Sequence, residues 1–209
     1  MHQCIERENK IMLFDQVQKA RFAPVDGAAH WAERFSDIRS LIAVDMLGQS
    51  FFWKYPDIET VILRPVHIVG AVHNAPSNYL RLRRPWTLAG FDPMVQIIHE
   101  EDVARAIERC LQPGIRGVFN LPGCRPAPLS ALLDMAHARP RPIPHPLAEA
   151  MLERAWKLRL ARFPAPELDH LRYVCMVDGQ RAQDVLGFEA AHDLDATMTH
   201  LRRTRLLMG

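Results

Sequence analysis

The strongest constraint on the fold is a run of four residues, Thr60-Val61-Ile62-Leu63, in which apolar side chains do not alternate with polar ones. A strand with one face in solvent shows that alternation, whereas a strand covered on both faces in a parallel sheet is apolar throughout. Arg64-Pro65 closes the run, and a second short apolar run, residues 66–69, ends at Gly70. We therefore predict a strand buried on both faces of a parallel sheet.

Helical patterns alternate with strand candidates along the rest of the chain. Residues 32–55 place their apolar side chains on one helix face, and this helix is expected to end before Pro56. The other predicted elements are a weak helix at 11–20, strands at 95–98 and 117–121, helices at 100–111, 129–137, 147–163 and 194–207, and a short helix capped by Asp178 that ends at Leu186-Gly187. A polar loop at 71–93 and a proline-rich linker at 140–146 separate them. The alternation predicts an α/β fold.

Composition and charge narrow the class of protein. Hydrophobic residues make up 48% and charged residues 24% of the chain, which is the balance of a globular protein with a real core. The net charge of +2 is too small to indicate a nucleic-acid or membrane surface. The four cysteines form no CxxC pair, and no apolar run approaches the roughly 20 residues of a membrane span. We expect a soluble, cytoplasmic protein without structural disulfides.

Four local motifs follow one another in a fixed order: TVILRPVHIVG at 60–70, IIHEEDVARAI at 97–107, GVFNLPG at 117–123, and D-x-x-R-A…LGF at 178–188. Together they resemble the C-terminal portion of extended short-chain dehydrogenase/reductases, the NAD-dependent epimerase/dehydratase family. The resemblance implies a partial Rossmann-type parallel sheet, made of the C-terminal strands, with a smaller helical substrate-binding lobe. It assigns residues 35–209 to this unit and leaves residues 1–34 as an N-terminal segment with weak signals.

The resemblance also implies NAD or NADP as the cofactor, with Pro65 and Val66 lining the nicotinamide through backbone contacts. The family's phosphate cradle is a glycine-rich turn whose backbone N–H groups contact the pyrophosphate. The ten glycines of this chain include no G-x-x-G-x-x-G. The nearest spacing, Gly114-x-x-Gly117, has Asn120 at the third place. We expect these 209 residues to bind a dinucleotide weakly.

The family's catalytic pair is Tyr-x-x-x-Lys on one helix, where the lysine lowers the tyrosine pKa so that the phenol can exchange a proton with the substrate. No tyrosine of this chain is followed by lysine four residues later. Counting back from the Leu-Arg-Pro strand puts Asp45 at the family's acidic helix position, and hence Asp37 and Leu41 at the places of tyrosine and lysine. A slip of two residues gives Phe35 and Arg39 instead. The catalytic residues therefore stay unassigned.

Three residues are candidates for substrate contact. His67 stands where many relatives place an asparagine facing the substrate, and an imidazole titrates near neutrality, so it could also serve as a surrogate acid or base. The alternative is a histidine hydrogen-bonded within its loop. Tyr79 is followed by Arg83 at the catalytic spacing but lies in the predicted loop, so it is a candidate for substrate contact only. Gln96 could reach the substrate cleft or be a glutamine at the edge of the core.

Two residues at the start of the predicted helix 100–111 are interpreted as structural. We expect Asp102 to cap its own helix and His99 to bond to nearby backbone. No metal site is expected, because the ten histidines show no HxxH or HxH spacing.

The substrate class is narrowed by one position. Nucleotide-sugar members of the family often carry an arginine four residues before the histidine of the I-H-x-x-D-V-A motif, to hold a diphosphate. Val95 stands there in this chain. A UDP- or GDP-sugar is therefore disfavoured, although Arg81, Arg83 and Arg84 in the preceding loop could compensate.

Two functions remain open. The first is a NAD(P)-dependent oxidoreductase or epimerase that acts on a small alcohol, ketone or sugar-like substrate but lacks the nucleotide loop and the Tyr/Lys pair. The second is a non-catalytic family member that serves as a regulatory or scaffold protein. In either case we expect a small-molecule partner and neither nucleic acid nor membrane, with a homodimer as one option for assembly.

Overall fold

The computed structural model describes residues 4–7, 10–14, 36–157 and 176–207. Within these residues strands and helices alternate along the chain. The strands are β1 (Cys4–Arg7), β2 (Lys10–Phe14), β3 (Glu59–Pro65), β4 (His67–Val69), β5 (Trp86–Leu88), β6 (Met94–Val95), β7 (Ile97–His99), β8 (Gly117–Leu121), β9 (Ala127–Pro128) and β10 (Arg141–Ile143). The helices are α1 (Ser36–Lys54), α2 (Ala75–Arg81), α3 (Glu100–Cys110), α4 (Leu129–Met135), α5 (His145–Lys157), α6 (Gln180–Leu186) and α7 (Leu194–Leu207).

The main sheet contains four strands in the order β1-β2-β3-β8. Strands β2, β3 and β8 run parallel, and β1 pairs antiparallel with β2. Parallel neighbours require a crossover connection, and the one between β3 and β8 includes α3. The α/β class predicted from the sequence is thereby confirmed.

Strand β3 is the predicted buried strand, and helices cover both of its faces. Val61 and Leu63 pack with Phe119 of β8 in a hydrophobic core to which α3 and α6 contribute. The residues between them, Ile62 and Arg64, face the opposite side because side chains alternate along a strand. On that side Arg64 contacts α1. The apolar residues of the run are all 0% exposed, which explains the missing alternation.

A second hydrophobic core lies within a smaller helical lobe. It is formed by α2, α4 and α7 together with β4 and β7, and includes Leu80, Leu132, Leu133, Met198 and Leu201. Strands β4 and β7 form a parallel pair, while β6 pairs antiparallel with β9. The sheet and the helical lobe that the resemblance implies are therefore both present.

The segment 71–93, predicted to be a loop, contains α2 and β5. Asn74 caps α2 by accepting a hydrogen bond from the Ser77 N–H over 2.9 Å. Strand β5 pairs in parallel with β10, which lies inside the predicted proline-rich linker. The prediction of loop and linker was wrong here, because each short strand completes its hydrogen bonds with a partner that is distant in sequence.

The other helix predictions agree with the structure to within a few residues where the structure describes them. The exception is the weak helix at 11–20, which is wrong over residues 11–14 because these belong to β2. A short apolar run does not distinguish helix from strand by its period. Residues 15–20 and 158–163 lie outside the described part of the chain. None of the described helices has both the length and the apolar character needed to cross a membrane.

Gly123 has no side chain, and this lets the backbone that follows β8 lie in direct contact with the backbone of β7. A Cβ atom at this position would lie 1.9 Å from the carbonyl oxygen of Ile97. The N–H of Cys124 donates to that same oxygen over 2.8 Å, so the two segments cannot separate without losing the bond. We expect Gly123→Ala to lower the free energy of unfolding by at least about 3 kcal/mol, as measured by urea denaturation.

The matched control for this prediction is Gly114→Ala. Gly114 has a φ of +82° and open space at the Cβ position, so only backbone strain of about 1–2 kcal/mol is expected there. Equal losses in the two variants would contradict the close approach at Gly123.

Candidate functional site

The carboxyl ends of β3 and β8 meet at one edge of the main sheet, where Pro65 pairs with Leu121. The N–H of Val66 donates to the Leu121 carbonyl oxygen over 3.2 Å. Strand β4 then starts at His67, opposite Ile97 of β7. Ligands of open α/β sheets bind outside the carboxyl ends of the strands. Residues 65–70 and Leu121, called the sheet edge below, are therefore the candidate site.

A buried ion pair joins α1 to β3 next to the sheet edge. Arg64 Nε lies 3.0 Å from Asp45 Oδ1, and Arg64 Nη2 lies 2.6 Å from Asp45 Oδ2. The two side chains are 5% and 10% exposed. The planar guanidinium offers two parallel donors to the two carboxylate oxygens, and Gln49 donates a further bond to Asp45 over 2.5 Å. Because a broken pair would leave a buried charge uncompensated, this contact holds α1 in one register on β3.

The ion pair supports the place that the family pattern gives to Asp45. Helix α1 is continuous over Ser36–Lys54, so positions 37, 41 and 45 share one face at four-residue spacing. That the places of the family's tyrosine and lysine correspond to Asp37 and Leu41 stays a prediction, and so does the register two residues earlier, with Phe35 and Arg39.

The predicted cofactor residues lie at the sheet edge, but they offer no backbone donor. Pro65 has no N–H, and the N–H of Val66 is bonded to Leu121. The Val66 side chain is 3% exposed and packs in the first core. Contact with a nicotinamide at these two residues stays a prediction, and it would have to use van der Waals surface or carbonyl oxygens.

Two of the predicted substrate residues, one in β4 and one just before β7, lie at the ends of paired strands. His67 is half-buried at the start of β4, and Gln96 immediately precedes Ile97, the residue that pairs with His67. Gln96 is buried, and its Oε1 accepts a hydrogen bond from the Val177 N–H over 3.2 Å. It thus holds the segment before α6 close to the start of β7, and substrate contact by Gln96 stays a prediction.

Tyr79 lies in α2, and its hydroxyl donates to the Trp86 carbonyl oxygen over 2.8 Å. Burial raises the pKa of Tyr79 to about 12. The phenol therefore keeps its proton at neutral pH and ties α2 to β5. Substrate contact by Tyr79 stays a prediction.

A clamp that the sequence did not predict holds the loop after β4. The carboxylate of Glu100 accepts hydrogen bonds from the N–H groups of Ala71 and Val72 over 2.8 and 3.0 Å. Arg81 donates to the carbonyl oxygens of Val72, over 3.0 Å, and of Gly70. The only sequence signal was the acidic start of α3, which we interpreted as favourable for the helix terminus rather than as an anchor for a distant loop.

His99 and Asp102 have structural contacts, but Asp102 does not act as predicted. His99 is the N-cap of α3, and its Nδ1 accepts from the Glu101 N–H over 3.1 Å. The prediction that Asp102 caps its own helix is wrong. Its buried carboxylate accepts from the N–H groups of Ala191 and His192, each over 3.2 Å. Asp102 thus ties α3 to the segment before α7, a contact that local sequence cannot reveal.

Three side chains at this junction carry potential metal ligands. The ligand atoms of His99, Glu101 and His192 all lie within 4.8 Å of one another. A cavity of about 390 Å³ opens beside His192 and is lined by residues 123–125 and 190–195. Its lining includes none of the substrate residues predicted from the sequence. Spacing gave no sign of this group, because only the fold brings His192 to the start of α3.

Comparison with known proteins identifies the fold. No protein-family model matches the chain. The solved structure of gox2253 superposes with a TM-score of 0.63 at 16% identity, over 96% of this chain and 67% of that one. UDP-N-acetylglucosamine 4-epimerase from Bacillus cereus gives 0.54 at 16% identity, over 81% and 54%. The dTDP-glucose 4,6-dehydratase from Bacillus anthracis, in complex with NAD, gives 0.57 at 11% identity, over 83% and 52%. This chain has the Rossmann-type fold of these epimerases and dehydratases.

The fold thus confirms the resemblance to the epimerase/dehydratase family. The confirmation covers only the part of the family's fold that this chain contains. The chain spans about half the length of the epimerase and dehydratase structures. Uncharacterized proteins of Mycobacterium bovis and Mycobacterium tuberculosis are 34% identical over 90 residues, which is 43% of this chain and 24% of each relative.

The buried ion pair gives a stability prediction. We expect Asp45→Asn to lower the free energy of unfolding by about 3–5 kcal/mol, because the buried guanidinium of Arg64 loses the charge of its bidentate carboxylate partner. Urea denaturation measures the loss. Adding Arg64→Gln should cost less than the sum of the two single losses, since both changes act on the same contact. The exposed Asp57→Asn serves as control. Strict additivity would contradict a coupled pair.

Tyr79 gives a pH prediction. Its pKa rises from the ordinary 10.0 to about 12 on folding, so above pH 10 the unfolded chain loses this proton first. Below pH 10 the ionisation of Tyr79 does not change the free energy of unfolding. Between pH 10 and about 12 this free energy falls by up to about 1.4 kcal/mol per pH unit. Urea denaturation across this range should show a steeper fall for the unmodified chain than for Tyr79→Phe. Equal slopes would show that the phenol titrates normally.

Proposed function

We propose that the chain forms the substrate-side part of a NAD(P)-dependent oxidoreductase or epimerase of the extended short-chain dehydrogenase type. Its substrate would be a small alcohol, ketone or sugar-like molecule. The observation that carries this proposal is the buried pair of Asp45 and Arg64, because it joins α1 and β3 in the register that the family pattern requires. The NAD complex of the Bacillus anthracis dehydratase and the NADPH complex of RMD from Pseudomonas aeruginosa favour a nicotinamide cofactor.

In this proposal the sheet edge forms one wall of the cofactor site. Pro65 and Val66 form the buried base of this wall, and contact with the nicotinamide would use their carbonyl oxygens, since their backbone offers no free donor. His67 follows directly and is the candidate for substrate contact and for proton exchange, because an imidazole can both accept and donate near neutral pH. The clamp of Glu100 and Arg81 keeps the loop after β4 in place beside this wall.

In this proposal the chain contributes binding surface but lacks the residues that transfer a proton in the family. That chemistry needs a phenol whose pKa a lysine lowers, and Asp37 and Leu41 occupy the two positions. Tyr79 is no substitute, because its pKa is raised and its hydroxyl is bonded to Trp86. Hydride transfer also needs a cradle for the dinucleotide phosphates, and these residues contain no glycine-rich loop of that kind.

A non-catalytic binding protein is the second candidate function, and Leu41 is the observation that favours it. A leucine at the place of the catalytic lysine cannot tune a neighbouring pKa. A family member that kept the fold but lost the pair could still bind a small molecule at the sheet edge and serve as a regulatory or scaffold protein.

The substrate class follows from charge near the site. Val95 offers no cation for a diphosphate, and Arg81 is already bonded to two loop carbonyl oxygens. These contacts support a substrate without a nucleoside diphosphate.

Titration of NADH and NADPH into the 209-residue chain, followed by nicotinamide fluorescence, tests the cofactor part. We expect dissociation constants weaker than about 1 μM, because the phosphate cradle is missing. Tighter binding would contradict the proposal, and so would oxidation of NADH or NADPH by the chain with any small ketone.

Thermal stabilisation by a panel of small alcohols, ketones and sugars tests the substrate part. A ligand at the sheet edge should stabilise the chain and lose this effect in His67→Ala, whereas the exposed His73→Ala should retain it. Stabilisation that needs NAD or NADP favours the oxidoreductase. Stabilisation that is equal without any cofactor favours the non-catalytic candidate.

A further inference from the structure

We propose that His192, Glu101 and His99 form a binding site for a divalent transition-metal ion of the zinc type. The ion would fasten the first turn of α3 to the segment that precedes α7. The site is independent of the sheet edge and of any nicotinamide cofactor.

The first argument is the distance between two of the ligand atoms. His192 Nε2 lies 3.2 Å from Glu101 Oε2. Zinc bonds to nitrogen and oxygen are about 2.0–2.2 Å long, so two ligand atoms of one ion lie roughly 3–3.5 Å apart. An imidazole nitrogen that carries no proton and a carboxylate oxygen are both acceptors, so at this separation either a proton on the nitrogen or a metal cation joins them. The geometry already fits a shared metal ion.

The second argument is the support behind His192. Its Nδ1 lies 3.0 Å from the buried carboxylate oxygen of Asp102, and an N–H donated to that oxygen leaves the lone pair on Nε2, which faces Glu101. Ligating histidines commonly donate their other nitrogen to a carboxylate in this way. The backbone is held on both sides, since the His192 N–H donates to Asp102 and the His192 carbonyl oxygen accepts from Cys124 Sγ over 3.4 Å. The ligand is therefore held in place before the ion arrives.

His99 supplies the third ligand after a small rotation. Its ring stacks on that of His192 with a centroid distance of 3.9 Å and an interplanar angle of 15°. Parallel rings do not point two lone pairs at one ion, so the His99 ring must turn out of the stack. Its ligand atom lies within 4.8 Å of the other two, so the shift needed is on the order of 1 Å. The turn exchanges a hydrogen bond, to His200 or to the Glu101 N–H, for a metal bond.

Charge and access favour a cation. Glu100, Glu101 and Asp102 stand together at the start of α3, where Arg105 pairs with Asp102 and Arg81 lies near Glu100. Glu101 is exposed, and His192 faces the cavity of about 390 Å³, so an ion and its remaining water ligands can enter from solvent. Two imidazoles and one carboxylate suit zinc, cobalt or nickel better than magnesium or calcium, which prefer oxygen ligands.

Calorimetric titration of Zn²⁺ into the metal-stripped 209-residue chain tests the site, with Mg²⁺ as the control ion. We expect one zinc ion bound in the micromolar range or tighter at this site. His192→Gln and Glu101→Gln should each weaken this binding at least about tenfold, since each removes a direct ligand. Glu101 is exposed, so Glu101→Gln preserves the fold and keeps the test valid if His192→Gln unfolds.

The matched control uses another pair of histidine and glutamate. His145 Nδ1 lies 4.0 Å from Glu149 Oε2 within α5, and no third ligand joins them among the described residues. His145→Gln should leave zinc binding unchanged. Zinc should raise the melting temperature of the unmodified chain and of His145→Gln, but not that of His192→Gln, because only a native site stabilises the fold.

Three results would overturn the proposal. The first is the absence of saturable zinc binding, which would leave His192 and Glu101 as a simple proton-linked ion pair. The second is binding that survives both ligand substitutions, which would place the ion elsewhere. The third is equal stabilisation by Mg²⁺, which would indicate a general charge effect at the acidic turn.

Discussion

The buried contact between Asp45 and Arg64 is the interaction on which the rest of the structure depends. A guanidinium and a carboxylate removed from water stabilise each other only in good geometry, and the cost of misplacing either is large. Helix α1 therefore has one permitted register on β3, the strand at whose end Pro65 turns the chain toward β4. This contact therefore fixes α1 beside the strand whose carboxyl end forms part of the candidate site.

The first turn of α3 is the second organising element, because its three carboxylates bond to two distant parts of the molecule, the loop after β4 and the segment before α7. Glu100 fixes the loop after β4, Asp102 fixes the segment before α7, and Glu101 faces His192. A helix N-terminus stabilises negative charge, so these acidic residues support their own helix while they make the distant contacts. The loop at the sheet edge and the proposed metal site thus share an anchor, although they carry separate functions.

The sequence predicted the parts of the fold whose signal is local. Strand β3 was recognisable because burial on both faces removes the alternation of polar residues, and α7 because its apolar positions follow the helical period. Prediction from the sequence failed where a segment depends on a partner distant in the chain. Strands β5 and β10 pair with each other, and Asp102 bonds to the segment before α7. Near the sheet edge, position in a motif singled out His67 and Gln96 as candidates, whereas no local signal pointed to the contacts of Glu100, Arg81 and His192.

The amino-acid sequence by itself determined the α/β class, the longer helices and the buried strand, and the absence of a Tyr/Lys pair, since these depend on residue type and spacing alone. Only the tertiary structure decided that Gln96 is bonded inside the fold, that the Tyr79 hydroxyl is bonded to Trp86, and that His99, Glu101 and His192 meet. The physical reason is the same in each case. Burial and hydrogen bonding depend on which remote groups come within about 3 Å, and no pattern within one segment encodes that distance.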